Sequence, residues 1–317
     1  RMRARRYVWM AVALLLSFTA VGGGCTRSAQ EDAHQKPIVV ASKIDTEGAL
    51  LGQMIIAMLQ AHGYQVVDRT EFGPTEMVRR ALLSGEIDIY PEYTGNGSIF
   101  FPQVDAATWK DAAAGLTAVR GLDADANGIV WLDAAPANNT WAIAVRSDLA
   151  QEAGLRTMED LARYVSGGGR VKLACSEEFV TSPAALPAFQ QAYGFTLRGD
   201  QLLTLSGGNT AQTEKAAAEG TDGVNMAMAY GTDGSLAALG LTVLEDPLGA
   251  QPVFQPAPTV RRQVLEQYPD LPAILNPVFR SLDLVTLQRL NARVAVEGEQ
   301  AAAVARDYLR QQGFLQP

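Results

Sequence analysis

Five aromatic side chains stand where ligand chemistry can be done. Tyr90 and Tyr93 lie in Tyr90-Pro91-Glu92-Tyr93-Thr94-Gly95-Asn96. Trp141 follows Asn138-Asn139-Thr140, Tyr230 precedes Gly231-Thr232-Asp233-Gly234, and Phe254 sits in Pro252-Val253-Phe254-Gln255-Pro256. Aromatic residues are only 7% of the chain, so their recurrence in polar turns is informative. A ring face attracts a cation by roughly 0.5–2 kcal/mol and asks no hydrogen bond of it. A quaternary ammonium is such a cation, and four rings would supply much of the ~8 kcal/mol of micromolar binding. Lys43, in Ser42-Lys43-Ile44-Asp45-Thr46-Glu47, offers the opposite chemistry. It stands beside the start of an expected helix, whose free amides and dipole favour an anion. Each residue also has a plainer reading. Tyr90 continues the Ile87/Ile89 alternation and suits a core; Phe254 can pack a crossover; Trp141 opens an apolar strand and can face either way; Lys43 can be a solvated loop cation. Polar turn residues flank Tyr93 and Tyr230, which makes these two the better candidates.

The elements that must position these residues alternate in type. Apolar runs at 38–41, 65–68 and 87–90 read as strands, with helical spacing at 51–59 and 75–83 between them. A second set follows, with strands at 141–145, 171–175, 201–205 and 225–230 and helices at 158–165, 183–193, 211–219 and 232–239. From 258 onward the tail reads as helical, with Ser281 and Asp283 as candidate caps and a last helix at 301–311. Alternating strands and helices imply α/β architecture with parallel sheets. Two such sets imply two lobes with a cleft, and open α/β sheets bind ligands beyond the carboxyl ends of their strands.

The N-terminus has the layout of a secretory signal. Arg1, Arg3, Arg5 and Arg6 precede an uncharged apolar run over 8–21, then Gly22-Gly23-Gly24-Cys25. The run is shorter than the ~20 residues of a spanning helix, although a short membrane anchor is the alternative. Cys25 after three small residues resembles a bacterial lipoprotein cleavage site, with 26–36 as a polar tether. Removing residues 1–25 takes away four Arg and no acid, leaving 22 basic against 34 acidic side chains and a net charge of −12. That balance argues against nucleic acid as partner. Enzyme chemistry finds little support. The histidines are His34, in the tether, and His62, at a helix end; Cys175 closes a strand without an expected histidine nearby. Asp88 and Glu92 suit structural pairing, and Gly167-Gly168-Gly169 suits a turn. No metal or cofactor is expected.

The segments Val40-Ala41-Ser42-Lys43-Ile44-Asp45-Thr46-Glu47-Gly48, Gly85 to Gly95 and Asn138-Asn139-Thr140-Trp141-Ala142 together resemble the glycine betaine/choline/osmoprotectant substrate-binding proteins of ABC importers. Glu178-Phe179, Ala229-Tyr230 and Thr232-Asp233-Gly234 extend the likeness over nearly the whole mature chain, in order. The resemblance implies a two-lobed periplasmic-binding-protein fold of type II, with one lobe from 37–139 and 247–317, the other from 140–246, and two crossovers as hinge. It implies an aromatic box of Tyr93, Trp141, Tyr230 and Phe254, with Asn96 and Thr232 beside it and Lys43 meeting a ligand carboxylate. Trp141 replaces the usual Tyr, and Asn96 stands where some members have Thr. Ser182 is a further ligand-binding residue that the resemblance implies, in the place of an arginine that grips the carboxylate in tight betaine binders, so weak betaine binding is expected; Lys alone gives only a point charge. The implied partners are a small quaternary amine and a membrane permease, for a monomer in the periplasm or on the outer face of the cytoplasmic membrane. A binding protein for another cationic or zwitterionic metabolite, or a sensor on the same fold, are the alternatives.

Overall fold

The computed structural model describes residues 36–206 and 210–316. The signal segment and Cys25 lie outside the described residues, as does the tether up to residue 35. Two five-stranded sheets organise the rest. The first contains β1 (Ile38–Lys43), β2 (Val66–Gly73), β3 (Ile89–Tyr93) and β4 (Ile129–Trp131). The second contains β5 (Trp141–Arg146), β6 (Leu173–Ser176), β7 (Leu202–Leu205), β8 (Met226–Tyr230) and β9 (Leu241–Val243). The chain then returns to the first sheet with β10 (Pro256–Arg261). The strand orders are β2-β1-β3-β10-β4 and β7-β6-β8-β5-β9. The two sheets thus share one plan: three parallel strands crossing at a central switch point, then two more.

The expected parallel sheets are mixed. β10 runs antiparallel to β3 and β4, and β5 antiparallel to β8 and β9. The helical tail expected from 258 is also corrected, because Pro256–Arg261 is the strand next to the middle of the sheet. Its two prolines lack donors, which usually confines proline to sheet edges. Here the carbonyls of Pro258 and Pro256 accept from Leu132 and Ala135 instead, where the chain has left β4 for the crossover. The missing donors therefore face a segment that needs none. The helices after β10 do form, and Asp283 caps Leu284–Ala295 by accepting from the Thr286 amide. Ser281 instead ends the preceding helix.

Each sheet is covered on both faces. The Thr46–Ala61 helix is buried from Glu47 to Leu59 except at Gln53, as expected of a helix apolar on all sides. It lies between β1 and the C-terminal helices, in a core containing Leu50, Met54, Phe279, Leu287 and Leu309. Trp109, Trp131 and Tyr90 pack the opposite face. In the second sheet, Phe179, Phe189 and Met228 fill one side, and alanines with Val224 and Leu236 the other.

Candidate ligand-binding site

A cavity of about 680 Å³ lies where the two sheets present matching strand ends. Lys43 ends β1, Tyr93 ends β3, and Tyr230 ends β8. Trp141 opens β5, but β5 is antiparallel to β8, so Trp141 pairs in register with Tyr230 at the same edge. Their rings stack with centroids 6.4 Å apart and 17° between planes. Phe179 buttresses Trp141 edge-on at 5.8 Å. Phe254 enters from the second crossover, where its amide donates to Asn138 Oδ1 and its carbonyl accepts from the Asn139 amide. Gly95 lets that ring approach, since a Cβ there would lie 2.7 Å from Phe254 Cδ1. Lys43, Tyr93, Asn96, Trp141, Tyr230, Thr232 and Phe254 all line this one cavity. Ser182 does not; it follows the short Glu177–Thr181 helix outside the lining. Tyr90 is fully buried below it, and its hydroxyl donates to Glu92.

Charge is arranged differently from the sequence reading. The expected strand at 87–90 lies two residues later, so Tyr90 and Glu92 share one face of β3. Glu92, fully buried, pairs with Lys43 Nζ at 2.6 Å and accepts from the Tyr93 amide and Asn96 Nδ2. Lys43 Nζ lies 4.7 Å from the centre of the Tyr93 ring. The helix start beside it is not an open anion site: Asp45 caps it by accepting from the Gly48 amide, and Glu47 occupies its first turn. Glu47 is the centre of a network that sequence reasoning missed. Tyr93 Oη donates to it at 2.8 Å, Asn139 Nδ2 at 3.1 Å and Asn291 Nδ2 at 2.7 Å. Burial pushes its carboxyl up, against the lowering effect of hydrogen bonds from Thr232, Tyr93 and Asn291. Asn139 and Asp233 stood in the quoted turns and could have been named; Asn291 comes from the Leu284–Ala295 helix and carried no local signal.

Among the described residues, the groups weighed for catalysis are held by structural partners or burial; His34 lies outside the described residues. Asp88 pairs with Arg261 and accepts from the Val39 amide, away from Glu92's partners. Cys175 is buried, and burial pushes its thiol up to about 11. His62 caps a helix end, with Nδ1 bonded to the Met58 carbonyl. The cavity therefore holds ring faces, an internal ion pair and a bonded carboxylate, an arrangement for holding a cation.

Residues 36–311 match the family described as the substrate-binding domain of the ABC-type glycine betaine transport system. The chain is 56% identical to the glycine betaine-binding protein YehZ of Escherichia coli strain K12, over 88% of this chain and 91% of that protein. It is 32% identical to the glycine-betaine-binding protein of Pseudomonas aeruginosa, over 89% and 90%. The solved structure of apo YehZ from Escherichia coli matches with a TM-score of 0.82 at 56% identity, covering 88% of this chain and 100% of that one.

Proposed function

The chain belongs to the family of substrate-binding domains of ABC-type glycine betaine transport systems, and from that membership we propose that it captures a small quaternary-ammonium osmoprotectant in its cleft and delivers it to a membrane permease. Family members are extracytoplasmic substrate-binding components, not enzymes. The observation that carries the ligand class is the convergence of Tyr93, Trp141, Tyr230 and Phe254, from four separate segments, on one cavity. We assign 37–139 with 247–317 to one lobe and 140–246 to the other, in keeping with the strands each sheet receives. The crossovers hinge them, and closure desolvates the cation against the rings. Asn96 and Thr232 hold the carboxylates around the box, Phe254 closes it from the hinge, and Ser182 lies outside the lining. Cys25 is assigned as lipid carrier on the residues that precede it, for a monomer tethered outside the cytoplasmic membrane.

Calorimetric titration of residues 26–317 with glycine betaine, choline, carnitine and proline betaine tests the reading. Micromolar or tighter binding of at least one is expected. Silence from all four, in a folded sample, overturns the ligand class.

A further inference from the structure

The polar groups of the cavity are committed in a pattern that bears on ligand charge. Its one lysine is in a buried ion pair with Glu92, so the pair presents no net charge. The other charged lining residues are Asp45, Glu47 and Asp233, all acidic. The nearby helix start is already neutralised by the Asp45 cap and by Glu47. Side-chain amide donors are committed too: Asn96 to Glu92, Asn139 to Glu47, and Asn291 to both Glu47 and the Thr232 carbonyl. These bonds fix which way the amides face, because a flip would set oxygen against oxygen. The Oδ1 atoms of Asn139 and Asn291, in contrast, are shielded from solvent and find no donor among the described residues. These two acceptors are unmatched, and each of the three amide nitrogens already donates to an oxygen of the protein.

We infer that Glu92, by holding Lys43, sets the charge preference of the cleft, making it a site for a net cation that carries a hydrogen-bond donor rather than for a zwitterion with a carboxylate. The inference rests on the quaternary-ammonium reading above and narrows it. A carboxylate entering here meets no uncommitted cation and three acids, Asp45, Glu47 and Asp233; a hydroxyl can donate to those same acids. Replacing Glu92 by Gln keeps the side-chain shape and frees the Lys43 charge. The positive charge then becomes available to a ligand carboxylate.

The test compares three ligands with similar methylated ammonium heads: tetramethylammonium, which has neither group, choline, which adds a hydroxyl, and glycine betaine, which adds a carboxylate. Calorimetric titration of the mature wild-type chain should place choline at least tenfold tighter than betaine, with tetramethylammonium between. In Glu92→Gln, checked for folding by circular dichroism and thermal melting, the choline-to-betaine ratio should shrink at least tenfold. Betaine bound more tightly than tetramethylammonium by the wild type overturns the inference, whether or not the variant folds. A folded variant with an unchanged ratio does so too. Similar affinity for all three leaves the quaternary-ammonium reading standing and overturns only the charge preference. No binding of any of the three removes that reading, and this inference with it.

Discussion

At the scale of single residues, ring faces and one ion pair carry the argument. Tyr93 and Tyr230 stand on opposite sheets, and each is fixed by more than packing: Tyr93 by its bond to Glu47, Tyr230 by its stack on Trp141. Tyr93→Ala and Tyr230→Ala should each weaken quaternary-ammonium binding at least tenfold, which is about 1.4 kcal/mol. Calorimetry with the best ligand reads this, and unchanged affinity in both variants sinks the aromatic box. Lys43 makes a different prediction. The ammonium is 2.6 Å from a carboxylate with no solvent access, so Lys43→Met leaves that charge buried and unpaired. A loss of about 3–5 kcal/mol in unfolding free energy is expected by urea titration, since breaking one side of a buried pair costs that much. A variant as stable as the wild type would mean that the pair is not formed in solution. The rings were legible in the sequence because turn composition marks where strands end. The pair was not, because Lys43 and Glu92 meet only when β1 and β3 are laid side by side.

At the scale of elements, the turn after β8 holds Tyr230 through a buried acid pair. Asp233 accepts from the Tyr230 amide at 2.7 Å, and Glu214, on the Thr210–Glu219 helix, is hydrogen-bonded with Asp233 and accepts from Ser235 Oγ. Burial first, and Asp233 second, push the Glu214 carboxyl up from 4.5 to about 9. A carboxyl raised in this way favours the fold while protonated. Its contribution is complete below pH 4.5 and falls away as pH rises toward about 9, because there the folded state holds a proton that the unfolded chain has lost. Melting temperature should therefore decline across that window, and Glu214→Gln should flatten the decline; parallel curves for the two proteins would refute the shared proton. Element-level reading of the sequence succeeded where helical spacing is clear, as in Thr75–Ser84, which Gly85 closes in the left-handed region, and Ala301–Gln311. It failed at β10, where two prolines argue locally against a central strand and only the departing crossover makes them tolerable. It also placed β3 two residues early, since a Tyr-Pro-Glu-Tyr run reads as a turn until its partners are known.

At the scale of the whole molecule, the two-sheet plan was visible as a repeated strand–helix rhythm, but the contact that ties the sheets together was not. It lies between the Leu284–Ala295 helix of the tail and the turn around Gly231–Ser235. Gln288 Nε2 donates to the Gly231 carbonyl, and Asn291 joins the Thr232 carbonyl to Glu47. Gly234 makes this approach possible. Its φ is −73°, which any residue adopts, so the requirement is purely one of space. A Cβ at that position would fall 2.2 Å from the Ala292 amide nitrogen and 2.4 Å from the Asn291 carbonyl carbon, both backbone atoms that cannot swing aside. Gly234→Ala must push the helix from the turn and draw Asn291 off Glu47. Overpacking of this kind costs about 1–3 kcal/mol, and here it should also weaken ligand binding, because Glu47 lines the cavity. Gly121→Ala is the control. It sits inside the Ala112–Asn127 helix with nothing within 4 Å of a new Cβ, so it should be neutral or stabilise by about 0.5–1 kcal/mol. Thermal melts of both variants, with and without ligand, separate the cases. If Gly234→Ala melts and binds like the wild type while Gly121→Ala behaves as stated, the tail helix does not hold the turn in solution, and the crossovers alone join the lobes.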